Sequence, residues 1–290
     1  MHESKSDPIS AEGAFFSSGY IAADEKVKLR VLQWHPDRAV TQKPVVFVAG
    51  WVSDVSGWAD LLRAMTIKMP VYYIETREKI SAIIDIKRIK PADFNIQRIG
   101  QDLINVCTAL PIRMKDALVM GSSFGATGLL EALKKDQMSA RGAFFVGPNS
   151  EFKAHPLLQN LLYLPADTFH VMKYFVLWYL RTFRVNAKKE PEQMHRYNVT
   201  VKSAHPQRLK MSVKAAMDYK VWDDLETVSI PVALAYAPTD TLHPHDNILR
   251  MADMLPAGEV ITCPTNRYMH SADLMDNIER FTERIKNEQK

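Results

Sequence analysis

The stretch that decides the fold reads Ala117-Leu118-Val119-Met120-Gly121-Ser122-Ser123-Phe124-Gly125. Its first four residues are apolar, as in a strand that is buried on both faces. They lead into a Gly-x-Ser-x-Gly pattern centred on Ser123, and residues 127–135 then carry apolar side chains at helical spacing. A strand, a sharp glycine turn and a helix in this order predict a nucleophile elbow, which holds its central serine above the sheet. A glycine-rich turn without chemistry is the alternative interpretation.

Short apolar runs like the one before Gly121 recur along the chain and alternate with helical patterns. Runs of this kind fit parallel strands covered on both faces, while helices fit the crossovers between them. The pattern predicts strands at 44–50, 71–74, 117–120, 143–146, 232–236 and 260–263, helices at 60–69, 96–110, 127–135, 246–255 and 271–286, and an antiparallel hairpin of 19–22 with 27–34. We therefore predict an α/β fold with a mostly parallel sheet and helices on both faces.

The alternation stops between residues 148 and 229, where helical patterns occur at 157–164, 168–184 and 206–219. We interpret this segment as a helical cap inserted into a core formed by residues 19–147 and 230–290. The stretch 168–184 is rich in aromatic residues, so we expect it to pack on the core or to cover an apolar substrate. Peripheral contact with a lipid surface is a further hypothesis for such a helix.

The composition excludes several classes of protein. The chain has 290 residues, of which 47% are hydrophobic and 24% charged, which is typical of a globular protein and not of a disordered one. Its net charge of +4 gives no argument for nucleic-acid binding, and its two cysteines cannot form a disulfide framework. The start has no apolar signal segment, and no apolar run is long enough to span a bilayer. We therefore expect a cytoplasmic protein.

A nucleophilic serine needs a base, and the base needs an acid that orients it. Asp240 follows the predicted strand 232–236, and His270 follows the last predicted strand. Both should reach the carboxyl edge of the sheet, where Ser123 is expected. We predict His270 as the base and Asp240 as the acid. His243, three residues after Asp240, is the alternative base.

This arrangement resembles the α/β-hydrolase superfamily from about residue 19 to the end of the chain. The resemblance implies an eight-stranded, mostly parallel sheet with a cap insertion, and an order of nucleophile, acid and histidine that matches Ser123, Asp240 and His270. It also implies an oxyanion hole made by the backbone N–H groups of Trp51 and Phe124. Neither a metal nor an organic cofactor is implied.

Three other polar features have interpretations of their own. His243 and His245 resemble metal ligands, but Pro244 between them and a predicted N-cap at Asp246 make a metal site the weaker hypothesis. Asn149 follows the strand 143–146 where some relatives place the catalytic acid, and an amide there favours Asp240. The charged stretch 75–79, Glu-Thr-Arg-Glu-Lys, is interpreted as a solvated loop.

The sequence thus predicts a serine hydrolase that cleaves a carboxylic ester with a small or medium apolar acyl group. Acyl transfer, thioester hydrolysis and C–C bond cleavage use the same residues and stay open. A protein of this fold that binds a ligand or partner without catalysis is the alternative from another class. The expected partner is a small acyl substrate.

Overall fold

A computed structural model shows one mixed sheet of nine strands within the residues that it describes. These residues are 6–85, 87, 89–152, 168, 173–175, 177–178, 181–182, 191–240 and 242–288. The strands are β1 Ala14–Ala22, β2 Val27–Pro36, β3 Val45–Val48, β4 Val71–Ile74, β5 Ile83–Ile84, β6 Leu118–Ser122, β7 Gly142–Val146, β8 Val232–Tyr236 and β9 Gly258–Thr262. Their order across the sheet is β1-β2-β4-β3-β6-β7-β8-β9, and β5 pairs with β2.

The strands β4, β3, β6, β7, β8 and β9 run parallel to one another. All residues of β3, β4, β6, β7 and β8 are buried, because helices cover both faces of this part of the sheet. The hairpin β1–β2 is antiparallel, and β2 also runs antiparallel to β4. The predicted mostly parallel sheet and its antiparallel hairpin are therefore confirmed.

Helices pack on the two faces of the sheet in separate layers. In the described ranges the α-helices are α1 Ala59–Thr66, α2 Ile96–Thr108, α3 Ser123–Leu133, α4 Pro191–Ser203, α5 Pro206–Ala216, α6 His245–Met254 and α7 Met275–Glu288. Side chains of α2, α3 and α6 share a core with Val46 and Val48, whereas those of α1 and α7 share the opposite core with Val45 and Phe47. Alternate residues of β3 thus face the two layers, as the period of a strand requires.

The predicted helices of the core are found within a few residues of their expected bounds. Helix α4 and the two-residue strand β5 were not predicted from the sequence. The predicted helix 157–164 lies outside the described residues, as does most of the predicted helix 168–184. No helix in the described part of the chain is long and apolar enough to cross a membrane.

Candidate active site

Ser123 lies at the junction of β6 and α3, in the strand–turn–helix context that the sequence predicted. Its φ of 47° is in the left-handed region, which a serine adopts only where its surroundings enforce it. The turn is too tight for side chains beside it. A Cβ on Gly121 would lie 2.8 Å from the backbone of Ala126, and one on Gly125 only 2.3 Å from the carbonyl oxygen of Val48.

His243 contacts the Ser123 hydroxyl. The distance from His243 Nε2 to Ser123 Oγ is 3.1 Å, and His243 Nδ1 lies 2.8 Å from Asp240 Oδ2. Asp240 and His243 both belong to the turn after β8, where the Asp240 N–H donates to the carbonyl of Ala237. One turn therefore supplies both an imidazole and a carboxylate to the serine.

Gly147, just after β7, leaves the room that this imidazole occupies. Its φ is 52°, and a Cβ at this position would lie 2.9 Å from His243 Nδ1. A side chain here would therefore be strained and would also collide with the ring of His243.

Asp240 is held in its charged form. Burial by itself would raise the pKa of Asp240, but electrostatic attraction to the His243 imidazole, the hydrogen bond with this ring, and the backbone N–H of Leu242 outweigh burial and lower this pKa to about 2. The Leu242 N–H donates to Oδ1 at 2.8 Å, which leaves Oδ2 for the imidazole. A carboxylate fixed in this way accepts the Nδ1–H of His243 and presents the lone pair of Nε2 to Ser123.

The ring of His270, predicted as the base, is held by groups other than Ser123. Nδ1 of His270 donates to the carbonyl of Asn266 at 2.9 Å, and the ring stacks on Trp58 with 4.1 Å between centroids. Burial, together with the positive charge of Arg196, lowers the pKa of His270 to about 3. His270 is thus a neutral, packed histidine, and its alternative His243 is the one bonded to Ser123.

Asn149 is a functional candidate that the sequence interpretation missed. Its Nδ2 donates to Ser123 Oγ at 2.8 Å. The Thr127 hydroxyl, one turn into α3, donates to the Asn149 carbonyl at 3.0 Å and fixes its backbone. In the sequence, Asn149 follows the strand after which some relatives carry the catalytic acid. That position was the signal that could have identified Asn149 as a candidate.

The two expected oxyanion donors belong to different elements, since Trp51 lies in the turn after β3 and Phe124 lies in α3. Phe124 follows Ser123 in the first turn of α3, where N–H groups have no partner within the helix. Its ring is buried and stacks on the Trp51 indole at 5.3 Å between centroids. The Gly50 N–H donates to Ser122 Oγ at 2.8 Å, so the turn after β3 is tied to the elbow.

The charged stretch 75–79 is buried, so its interpretation as a solvated loop is wrong. Each of its five residues is at most 5% exposed. Glu75 pairs with Arg30 of β2, and the guanidinium of Arg77 binds both oxygens of the Asp102 carboxylate in α2. Glu75 and Arg77 therefore each meet an oppositely charged partner from another element, which the local sequence does not reveal.

The residues considered for a metal site have other contacts. His243 is bonded as described above, and His245 stacks on Tyr236 with 4.2 Å between ring centroids. Among the described residues no group of three or more His, Cys, Asp or Glu side chains is arranged to hold a metal ion. Asp246, predicted as the N-cap of α6, lies instead within its first turn, since α6 begins at His245.

Comparisons with known proteins find similarity in structure. No protein-family model and no curated protein sequence matches the chain. A thermophilic esterase from Thermogutta terrifontis superposes with a TM-score of 0.73 at 14% identity, over 94% of this chain and 98% of that chain. An enol-lactonase from Burkholderia xenovorans LB400 gives 0.70 at 13%, over 93% and 98%. A putative lipase from Acinetobacter baumannii gives 0.69 at 13%, over 95% and 93%. The chain has the α/β-hydrolase fold.

Proposed function

We propose that this protein is a serine hydrolase of carboxylic esters, with Ser123 as nucleophile, His243 as base and Asp240 as acid. The observation that carries the proposal is the continuous chain of contacts from Ser123 Oγ to His243 Nε2 at 3.1 Å and from His243 Nδ1 to Asp240 Oδ2 at 2.8 Å. Both distances are within hydrogen-bond reach, which is the first requirement for a catalytic base. The structural neighbours named as an esterase, a lipase and a lactonase support the ester class.

In the acylation step, Ser123 Oγ attacks the ester carbonyl carbon while its proton passes to His243 Nε2. The carbonyl oxygen becomes an oxyanion, for which the backbone N–H groups of Trp51 and Phe124 are the proposed donors. When the intermediate collapses, the C–O bond to the alcohol breaks and His243 returns the proton to the leaving oxygen. In deacylation His243 accepts a proton from water while the water oxygen attacks the acyl carbon. The bond from this carbon to Ser123 Oγ then breaks, the acid is released, and His243 returns the proton to Oγ.

Asp240 keeps His243 in the tautomer that this reaction needs. Because the pKa of Asp240 is about 2, its carboxylate is ionised throughout the neutral range. It accepts the Nδ1–H of His243 and stabilises the imidazolium that forms when Ser123 loses its proton. The proposal therefore keeps Asp240 in the role predicted from the sequence and assigns the role of base to His243.

Asn149 restricts the Ser123 hydroxyl to one orientation. The amide N–H donates to Oγ at 2.8 Å, and His243 Nε2 lies 3.1 Å from the same oxygen. A hydroxyl oxygen can accept one bond and donate one at the same time. We propose that this pair of contacts holds Oγ ready for attack.

The acyl group is proposed to be small or medium and apolar. Aromatic rings of Trp51, Phe124, Phe152 and Tyr219 follow one another in contact beside the elbow. Trp51 and Phe152, the half-buried members of this cluster, offer apolar surface to an acyl chain. The segment 148–229, which includes α4 and α5, is the proposed cap, and its aromatic stretch is the proposed cover of the acyl site.

Labelling with a fluorophosphonate, which reacts with activated serines, tests the proposal. Four proteins are compared: the wild type, Ser123→Ala, His243→Ala and His270→Gln, with folding of each checked by circular dichroism. We expect labelling of the wild type and of His270→Gln, and loss of labelling in the other two. His270→Gln is the matched control, because it removes the other histidine near Asp240.

Loss of labelling in His270→Gln with retention in His243→Ala would return the role of base to His270. A folded wild type that neither reacts with the probe nor hydrolyses p-nitrophenyl butyrate would favour the alternative of a non-catalytic binding protein.

A further inference from the structure

The turn after β3 is held in a conformation that is unfavourable for its sequence. Val52 has a φ of 42°, and a β-branched residue in the left-handed region is a genuine outlier. On the same turn, the Ser53 N–H donates to the Gly50 carbonyl at 3.0 Å. That carbonyl belongs to the same planar peptide as the Trp51 N–H, so the bond from Ser53 fixes the direction in which this N–H points. The strained residue thus lies next to the proposed oxyanion donor.

Two consecutive charged residues bind this turn from the interior. The Val52 N–H donates to Glu78 Oε1 at 3.2 Å, and Lys79 Nζ donates to the Ser53 carbonyl at 2.8 Å. Glu78 is fully buried and Lys79 is 5% exposed. Val52 and Ser53, which follow Trp51 in the turn, are therefore held by two buried side chains, one acidic and one basic.

The carboxylate of Glu78 has few other bonds. Oε1 also accepts the Thr76 hydroxyl at 2.8 Å, whereas Oε2 is buried and has no hydrogen-bond partner. Burial raises the pKa of Glu78, although Lys79 and these hydrogen bonds oppose the rise. A buried carboxylate with one unbonded oxygen is costly for stability. The contact of Oε1 with the turn is the structural role that this costly group has.

The segment that carries Glu78 and Lys79 is itself anchored on two sides. Arg77 binds Asp102 of α2, as described above. Arg208 of α5, which belongs to the proposed cap, donates to the carbonyl oxygens of Lys79 at 2.6 Å and of Ala82 at 3.0 Å. The segment therefore forms a fixed support between the core and α5.

Resting on the proposed function, we propose that Glu78 is a positioning residue for the oxyanion hole. Its carboxylate holds Val52 in the left-handed conformation and thereby keeps the Trp51 N–H directed towards the carbonyl oxygen of the substrate. Glu78 touches no reacting atom and acts through the backbone of the turn. Lys79 completes the support through the Ser53 carbonyl.

Two substitutions of similar volume test this role. Glu78→Gln keeps an oxygen that accepts the Val52 N–H, whereas Glu78→Met fills the site and has no acceptor. Removal of one oxyanion donor costs about 10²–10³ in kcat. We expect kcat for p-nitrophenyl butyrate to fall about 10²-fold in Glu78→Met with little change in KM, and by no more than about tenfold in Glu78→Gln.

A second readout separates positioning from stability. A trifluoromethyl ketone forms a tetrahedral adduct with the serine and needs the oxyanion hole, so its affinity should fall in parallel with kcat in Glu78→Met. The matched control is Glu75→Gln, a buried glutamate of the same segment that pairs with Arg30 instead of the turn. This control should lower Tm while it leaves kcat and ketone affinity unchanged.

Each outcome bears on the proposal. Wild-type kcat and ketone affinity in Glu78→Met would overturn it, as would losses in both glutamate variants that simply follow their Tm. If Glu78→Met does not fold, Thr76→Val removes a hydroxyl that orients the carboxylate, and unchanged kcat there would overturn the proposal. A wild type without fluorophosphonate labelling would end the proposed function instead, so the two failures are distinguishable.

Discussion

His243 and Asp240 are three residues apart on one turn, and their side chains are joined by a 2.8 Å contact from Nδ1 to Oδ2. Both residues follow β8, so the geometry of the pair is set locally. Only the contact of His243 with Ser123 depends on the packing of separate elements. The relative position of the β6 and β8 ends, bridged by β7, therefore decides whether the three groups meet.

Gly147→Ala should disable the site without unfolding the protein. The new methyl group would lie 2.9 Å from His243 Nδ1 and would also require a φ of 52°, so the imidazole must move. A displacement of about 1 Å in a catalytic group costs on the order of 10²-fold in rate. We expect kcat for p-nitrophenyl butyrate to fall at least 10²-fold.

Gly19→Ala is the control for this substitution, since a Cβ on Gly19 would meet no atom within 4 Å. It should retain wild-type kcat. Full activity of Gly147→Ala would mean that His243 is not the base or that its ring has room to spare.

Asn149→Ala should slow the reaction with little effect on binding. Without the amide N–H at 2.8 Å, Ser123 Oγ can rotate away from His243. We expect kcat to fall about tenfold while KM changes less than threefold. This is the pattern that results when a mutation removes a contact made in the reacting state. Asn198→Ala in α4, where the amide donates to the Met194 carbonyl, is the comparison and should be active. An unchanged kcat in Asn149→Ala would show that the amide has no part in the reaction.

The parallel strands and the elbow could be predicted because their signals are local. A strand covered on both faces must be apolar throughout, as β3 and β7 are, and the turn at Ser123 requires glycines at fixed positions. The base could not be chosen in the same way. Order along the chain fits both His243 and His270, and it is the path of the turn after β8 that brings His243 Nε2 to 3.1 Å from Ser123 Oγ. The glycine at position 147 leaves room for the ring of His243. The sequence does not show this, because the need for a glycine becomes clear only when the position of the ring is known.

The charged stretch 75–79 could not be predicted to be buried, because its partners are distant in sequence. Arg77 meets Asp102 of α2, and Glu78 meets a backbone N–H at Val52. Charge by itself favours a surface location. Only the tertiary contacts make these side chains compatible with the interior.

Asp102→Asn should destabilise the fold strongly. Arg77 and Asp102 are both 1% exposed, and loss of one charge leaves the other buried without full compensation. We expect the free energy of unfolding, measured in urea, to fall by about 3–5 kcal/mol. Arg113→Ala removes an exposed partner of Asp116 and should have a much smaller effect, because water screens this pair. A loss of similar size in both variants would contradict the importance assigned to burial.

His270 should make the fold sensitive to acid. Its pKa is about 6.5 in an unfolded chain and about 3 in the folded protein, where burial next to Trp58 disfavours the charged ring. A depressed pKa means that the unfolded state binds the proton more tightly, so the stabilisation is complete above pH 6.5 and is lost as the pH falls towards 3. We expect the free energy of unfolding to decrease by roughly 2–4 kcal/mol over this window.

His270→Gln, which cannot be protonated there and can still donate to Asn266, should flatten the dependence, whereas His195→Gln at an exposed position should not. Urea denaturation at a series of pH values measures this, and an equally steep loss in His270→Gln would place the acid-sensitive group elsewhere.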